Sequence, residues 1–201
     1  MRPTSGAIDL SGTDAPEAGS KLSFVFQDAT LMPWASVKKN IELPLEITTT
    51  QKPPADKVTS ALRLVGLDEF AGAYPRELSG GMKMRASIAR ALVTDPDLLL
   101  MDEPFAALDE LTRERLNDDL LNLWRSQHFS VLFVTHSVYE SVYLSQRIIV
   151  LSERPGEVIA DIPIDAPYPR GKDFRLSSEY SSFCRAVHDA LRHNETGDAR
   201  Q

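Results

Sequence analysis

Apolar and polar positions along this chain fall into short blocks, and the period of each block predicts an element. Leu22-Ser23-Phe24-Val25-Phe26 is rich in aromatic and β-branched residues and predicts a strand ending at Gln27. A loop over 29–34 follows, unusual in carrying the apolar residues Leu31, Met32 and Trp34. Residues 36–47 predict a weak helix broken at Pro44, and 48–54 a polar linker. Val58, Ala61, Leu62 and Val65 keep i, i+3, i+4, i+7 spacing. That spacing predicts a helix over 56–65, with Gly66 as its stop, and a short helical turn over 67–71. Ser79 is placed to cap a helix running to about Val93, with Met82, Ile88, Ala89 and Leu92 on its apolar face. Asp95-Pro96-Asp97 ends it.

From residue 97 the pattern changes. Leu98-Leu99-Leu100-Met101 is an unbroken apolar run, as expected of a strand buried on both faces of a parallel sheet. A helix is expected over 109–127, a strand over 131–135, a short helix over 138–145 and a strand over 148–151. Residues 157–164 alternate like an edge strand, and 178–193 form an amphipathic helix. Strand and helix alternate, which implies an α/β layer with a parallel sheet. The mostly helical stretch between residues 35 and 95 reads as a subdomain inserted into it. A short strand near 6–10 completes the expectation.

Composition narrows the class. A length of 201 residues suits one large domain, or one domain with a subdomain. The net charge of −7, with no long Lys/Arg run, argues against a nucleic-acid binder. The single cysteine, Cys184, rules out a disulfide framework within the chain. No apolar run reaches the roughly 18 residues of a membrane span, and the first residues lack the apolar stretch of a signal peptide. A cytoplasmic protein fits, held at a membrane only by another chain.

Four places carry chemistry. The apolar strand 98–101 ends in Asp102-Glu103, which puts two carboxylates at the strand end where open α/β folds bind ligands. Asp102 is suited to holding Mg²⁺ beside phosphate oxygens, and Glu103 to activating a water as general base. A bland reading, two acids capping a strand in solvent, stands beside this. In Leu78-Ser79-Gly80-Gly81-Met82, two glycines let a phosphate approach the backbone, and the helix N-terminus favours an anion. Such a string arises by chance in about one chain in a hundred of this length. Gln27, at a strand end, is suited to coordinating Mg²⁺ or positioning water. His136, after the strand 131–135, is suited to bonding a terminal phosphate. Each of those two, taken alone, is better explained as an ordinary strand terminus; their order and spacing relative to the other motifs change that. His128, His188 and His193 read as solvated surface residues.

Taken in order, these strings resemble the ATP-binding-cassette (ABC) ATPases. Phe26-Gln27-Asp28 looks like the family's Q-loop, and Leu78-Ser79-Gly80-Gly81-Met82 like its signature, with Met82 where Gln is usual. The run 98–103 looks like Walker B with its catalytic Glu. Ala107-Leu108-Asp109 is similar to the D-loop and His136 to the switch histidine. The resemblance implies a P-loop NTPase-like fold with an inserted helical subdomain at 35–95. It implies an α/β part over 96–165 running from Walker B to the switch histidine, and a C-terminal tail and helix over 166–201. It implies ATP and Mg²⁺ as cofactors, catalysis by Glu103 and His136, and nucleotide contacts from Gln27, Ser79, Gly80, Gly81 and Asp109. Gln27 and Asp102 would hold the metal. It implies ATPase activity coupled to transport at the cytoplasmic face of a membrane. The partners implied are a transmembrane permease, a second cassette packed head to tail and, indirectly, an extracytoplasmic solute-binding protein, with no nucleic acid. Leu31-Met32-Pro33-Trp34 and Met82 resemble cassettes of nitrate, sulfonate and taurine importers. The coiled-coil or zinc insertions of DNA-repair relatives do not occur between residues 27 and 79.

One departure is large. The phosphate-cradling loop G-x-x-x-x-G-K-[ST] occurs nowhere in these residues, and the one Gly-Lys pair, Gly171-Lys172, is followed by Asp173. The 201 residues therefore read as an incomplete cassette, with the N-terminal strands and P-loop missing, that binds ATP weakly by itself. Pro3-Thr4-Ser5-Gly6 resembles the stretch after the P-loop helix. Two readings stand: Met1 is an internal methionine of a longer frame, or the chain is a non-hydrolysing half-cassette lending its signature in trans to a P-loop-bearing partner.

Overall fold

The protein is described here by a computed structural model covering residues 5–6, 21–48, 54–127, 129–154 and 156–197. The expected strand near 6–10, most of the linker 48–54, and His128 lie outside the described residues. The chain divides into two units, residues 1–108 with 127–132, and residues 109–126 with 133–201.

In the first unit, β1 (Leu22–Val25) pairs in parallel with β2 (Leu98–Asp102), with Leu22 opposite Leu98 and Val25 opposite Met101. β3 (Ser130–Val134) completes the three-stranded order β1-β2-β3. The strand period of two puts Val25, Leu99 and Met101 on one buried face. The other face carries Phe24, 50% exposed and stacked on Phe26; in β3, Leu132 is 58% exposed. Leu98 and Leu100 share that face by register and are half-buried. The expectation of a strand buried on both sides is thus corrected: β2 buries one side only, in the alternating manner of a one-faced sheet.

The helical part of this unit is α1 (Val37–Thr48), α2 (Ala55–Leu64) and α3 (Gly80–Leu92), with two single 3₁₀ turns between α2 and α3. α2 follows its periodicity: Val58, Ala61, Leu62 and Val65 are all buried, and Gly66 takes φ +66° just past the end. α1 departs from expectation. It runs straight through Pro44 rather than breaking there. Val37, Ile41 and Leu45 are buried on one stripe. Burial of about 1.5–3 kcal/mol per large apolar side chain outweighs the roughly 3 kcal/mol that an interior proline costs. α3 is more enveloped than its four expected apolar positions imply. Met84, Ala86, Ser87, Ala91 and others are buried, while Met82 is only half-buried.

In the second unit, α4 (Glu110–Gln127), α5 (Val138–Leu144), α6 (Lys172–Arg175) and α7 (Ser178–Gly197) accompany a two-stranded sheet. β4 (Arg147–Leu151) and β5 (Val158–Pro163) pair antiparallel, Ile148 opposite Ile162. β4 does not extend a parallel layer, because a short turn joins it to β5 and a short turn imposes antiparallel pairing. The core joins Leu121, Val142, Tyr143, Ile148, Val150, Ile164, Tyr180 and Val187. Arg170 is buried within it and donates to the carbonyls of Val142, Tyr143, Ser145 and Ala166. It thereby satisfies the carbonyls at the C-terminal end of α5, which the helix itself leaves unpaired. No helix among the described residues is long and apolar enough to cross a membrane.

Candidate active site

Parallel pairing decides where the first group of polar residues lands. The ladder ends at Val25 opposite Met101. Gln27, two residues beyond on one strand, and Asp102-Glu103, on the next, therefore leave the sheet at the same C-terminal edge. Gln27 and Asp102 are exposed there. One carboxylate and one amide oxygen are hard oxygen donors at an open edge. That set fits Mg²⁺, which takes few protein ligands and keeps its waters.

Glu103 is held in an unusual backbone. Its φ is +44°, in the left-handed region, and it stands directly before Pro104. The turn is closed by the Ala106 N–H donating to the Glu103 carbonyl at 3.2 Å. A non-glycine residue in this region costs on the order of 1–3 kcal/mol, and such strain gathers at functional sites. Phe105, fully buried, anchors the turn from its far side.

Ser79 caps α3 as expected, its hydroxyl accepting from the Met82 N–H at 3.3 Å. Gly80 lies against the loop that follows β2: a Cβ there would stand 3.1 Å from Leu108 Cδ2. The glycine thus permits a close approach between the two loops, in addition to leaving the helix N-terminus open. Gly81 is buried.

The second unit holds the other two positions. Asp109 accepts from the Thr112 N–H at 3.0 Å and caps α4. The Thr112 hydrogen bonds hold its carboxyl below the usual range. His136 is exposed, in the turn between β3 and α5. Its flanks are tied: the Ser137 N–H donates to Thr135 Oγ1 at 3.0 Å, and the Ser137 hydroxyl accepts from the Glu140 N–H at 3.3 Å. Arg113 reaches from the first turn of α4 to α5: its backbone N–H donates to the Asp109 carbonyl at 2.9 Å, and its side-chain Nε lies 3.7 Å from Glu140 Oε1.

The arrangement of loops has supports that no sequence pattern announced. Asn40, fully buried in α1, accepts from the Met32 N–H at 2.6 Å and donates to the carbonyls of Met32, Ala35 and Ser36. Arg90 of α3 donates to the carbonyls of Ala29 and Thr30 and to the Thr30 hydroxyl. Together they fix the loop 29–36 and leave Trp34 77% exposed at its tip. Polar residues on apolar helices were the available signal, but their partners lie in a loop that shows no period.

The description "ABC transporter" matches residues 1–106. The chain belongs to the ABC transporter family. It is 41% identical over 201 aligned residues to the nitrate import ATP-binding protein NrtD of Synechocystis, covering 96% of this chain and 76% of that protein. It is 47% identical over 161 residues to the taurine import ATP-binding protein TauB of Rhizobium johnstonii, covering 80% of this chain and 62% of that one. Among solved structures it is similar to the ATP-binding cassette MJ0796, a dimer in a post-hydrolysis state bound to ADP and Pi. That likeness has a TM-score of 0.62 at 32% identity, over 73% of this chain and 64% of the cassette. The ABC chain thus has the α/β, P-loop NTPase-like fold with a parallel sheet that its motifs implied.

Proposed function

We propose that this chain belongs to the ATP-hydrolysing subunit of an importer and drives uptake of a small oxyanion, nitrate or a sulfonate such as taurine. The observation that carries the reading is the shared sheet edge, where Gln27 and Asp102-Glu103 leave adjacent parallel strands. The two importer relatives, one for nitrate and one for taurine, supply the solute class.

In this reading Glu103 accepts a proton from the water that attacks the terminal phosphate of ATP, and its strained turn fixes the carboxylate in advance. His136 donates to a terminal phosphate oxygen and stabilises the charge that develops there. Asp102 and Gln27 would hold Mg²⁺, which when bound neutralises phosphate charge. Ser79, Gly80 and Gly81 present a helix N-terminus to the nucleotide of a second cassette packed head to tail, and Asp109 supplies a further nucleotide contact. Residues 35–95 act as the helical subdomain, and the loop bearing Trp34 meets the transmembrane permease at the inner membrane face. A solute-binding protein outside the membrane delivers the cargo to that permease.

Uptake in the source cell tests this. With the gene deleted, uptake of labelled nitrate, taurine and an alkanesulfonate is measured, and the parent gene or Glu103→Gln is returned. The reading expects loss of uptake of one solute, restored by the parent and not by Glu103→Gln. Unchanged uptake of all three would overturn it. Restoration by Glu103→Gln but not by Ser79→Ala would favour the non-hydrolysing half-cassette instead.

A further inference from the structure

We propose that Glu140 is a positioning residue for His136, acting through Thr135 and tying the switch turn to the start of α4. The inference rests on His136 being the phosphate-contacting residue.

Glu140 is a carboxylate on α5 and, with Arg170, one of two buried charged side chains among the described residues. It is four residues past His136. Its Oε2 accepts the Thr135 hydroxyl proton at 2.5 Å. A hydroxyl whose proton is committed presents its lone pairs elsewhere. Here they receive the Ser137 N–H at 3.0 Å. The Ser137 hydroxyl in turn accepts from the Glu140 N–H at 3.3 Å. The three bonds close a ring across the turn, with His136 inside it and its imidazole outside. Removing the carboxylate frees the Thr135 hydroxyl to rotate and releases both flanks of His136.

The second carboxylate oxygen serves a different element. Glu140 Oε1 lies 3.7 Å from Arg113 Nε, while Arg113 Nη1 lies 3.4 Å from Glu110 Oε2 and the Arg113 backbone N–H donates to the Asp109 carbonyl. The first turn of α4, which carries Asp109, and the turn carrying His136 are therefore joined through one carboxylate. Burial pushes the Glu140 carboxyl up, opposed by the Thr135 hydrogen bond and the nearby Arg113 charge. A core position with no further task would be filled more stably by an apolar residue, because a buried charge seldom repays its desolvation.

The test uses the whole chain labelled with ¹³C-histidine, with the His136 Cε1–Hε1 signal assigned through His136→Asn. Thr135→Val, Glu140→Gln and Glu140→Leu are compared with Thr135→Ser, which restores the hydroxyl. The proposal expects the His136 signal to shift and broaden in Thr135→Val and Glu140→Leu. In Glu140→Gln it expects a smaller shift, because the amide oxygen still accepts from Thr135. The His188 signal stays in place in all of them, and Thr135→Ser matches the parent. A His136 signal unmoved in both Thr135→Val and Glu140→Leu overturns the proposal. So does a uniform shift of every histidine signal with loss of the cooperative melt in both, which would make Glu140 a plain core residue. Mg-ATP hydrolysis is read separately on the same proteins within the permease complex. There Thr135→Val should lower kcat roughly tenfold with KM unchanged. A parent complex that hydrolyses no ATP would sink the proposed function while leaving the histidine readout to decide the role of Glu140.

Discussion

Asn40 shows how one side chain can set a loop. Its amide meets four backbone groups of the segment 32–36 from inside α1. Asn40→Ala leaves those groups short of partners, including the part-buried Met32 N–H. The expected loss is about 1–3 kcal/mol of stability, the range for a buried polar group left unsatisfied, read as a lower urea midpoint at unchanged m-value. An unchanged midpoint would mean that water replaces the amide at no cost. Glu103 is the opposite case, a residue whose type was legible and whose backbone was not. Two carboxylates after an apolar strand stand out in the sequence, but a φ of +44° before a proline does not. Asn40, Arg90 and Glu140 went unread for a common reason: each acts on partners far away in the chain or outside its own periodic face.

At the level of elements, legibility followed period and local capping. α2 was readable because four apolar residues share a stripe, and α3 because Ser79 caps it. α1 was misread at Pro44 because tertiary burial of Ile41 and Leu45 overrides a local preference. β4 was misplaced because an apolar strand does not state its partner. Asp109 offers an element-scale prediction. The Thr112 hydrogen bonds depress its pKa, so its cap contributes stability above the ordinary range of an unfolded carboxylate and loses it as pH falls through the lower folded value. Asp109→Ala should therefore lower the melting temperature at neutral pH and change it little near pH 2. Equal losses at both pH values would show that the charge is irrelevant to the cap.

At the scale of the whole molecule, two exposed apolar places among the described residues call for different explanations. One is the open sheet face at Phe24, on which Phe26 stacks. The other is the Trp34 tip, exposed although its loop is pinned by Asn40 and Arg90. A rigid loop that holds an indole in solvent fits a docking role better than a packing role. Trp34→Ala should leave the melting temperature within about 2 °C, as for a surface substitution, and abolish co-purification of the permease. A large drop in melting temperature would make Trp34 part of the fold. The central claim is that Glu103 activates water at the edge shared with Gln27 and Asp102. Phosphate release by the permease complex purified from its own cells tests it most directly, parent against Glu103→Gln. The account predicts retained ATP binding and a fall in turnover of at least about a hundredfold, the scale of a lost general base. Turnover at the parent rate would contradict it.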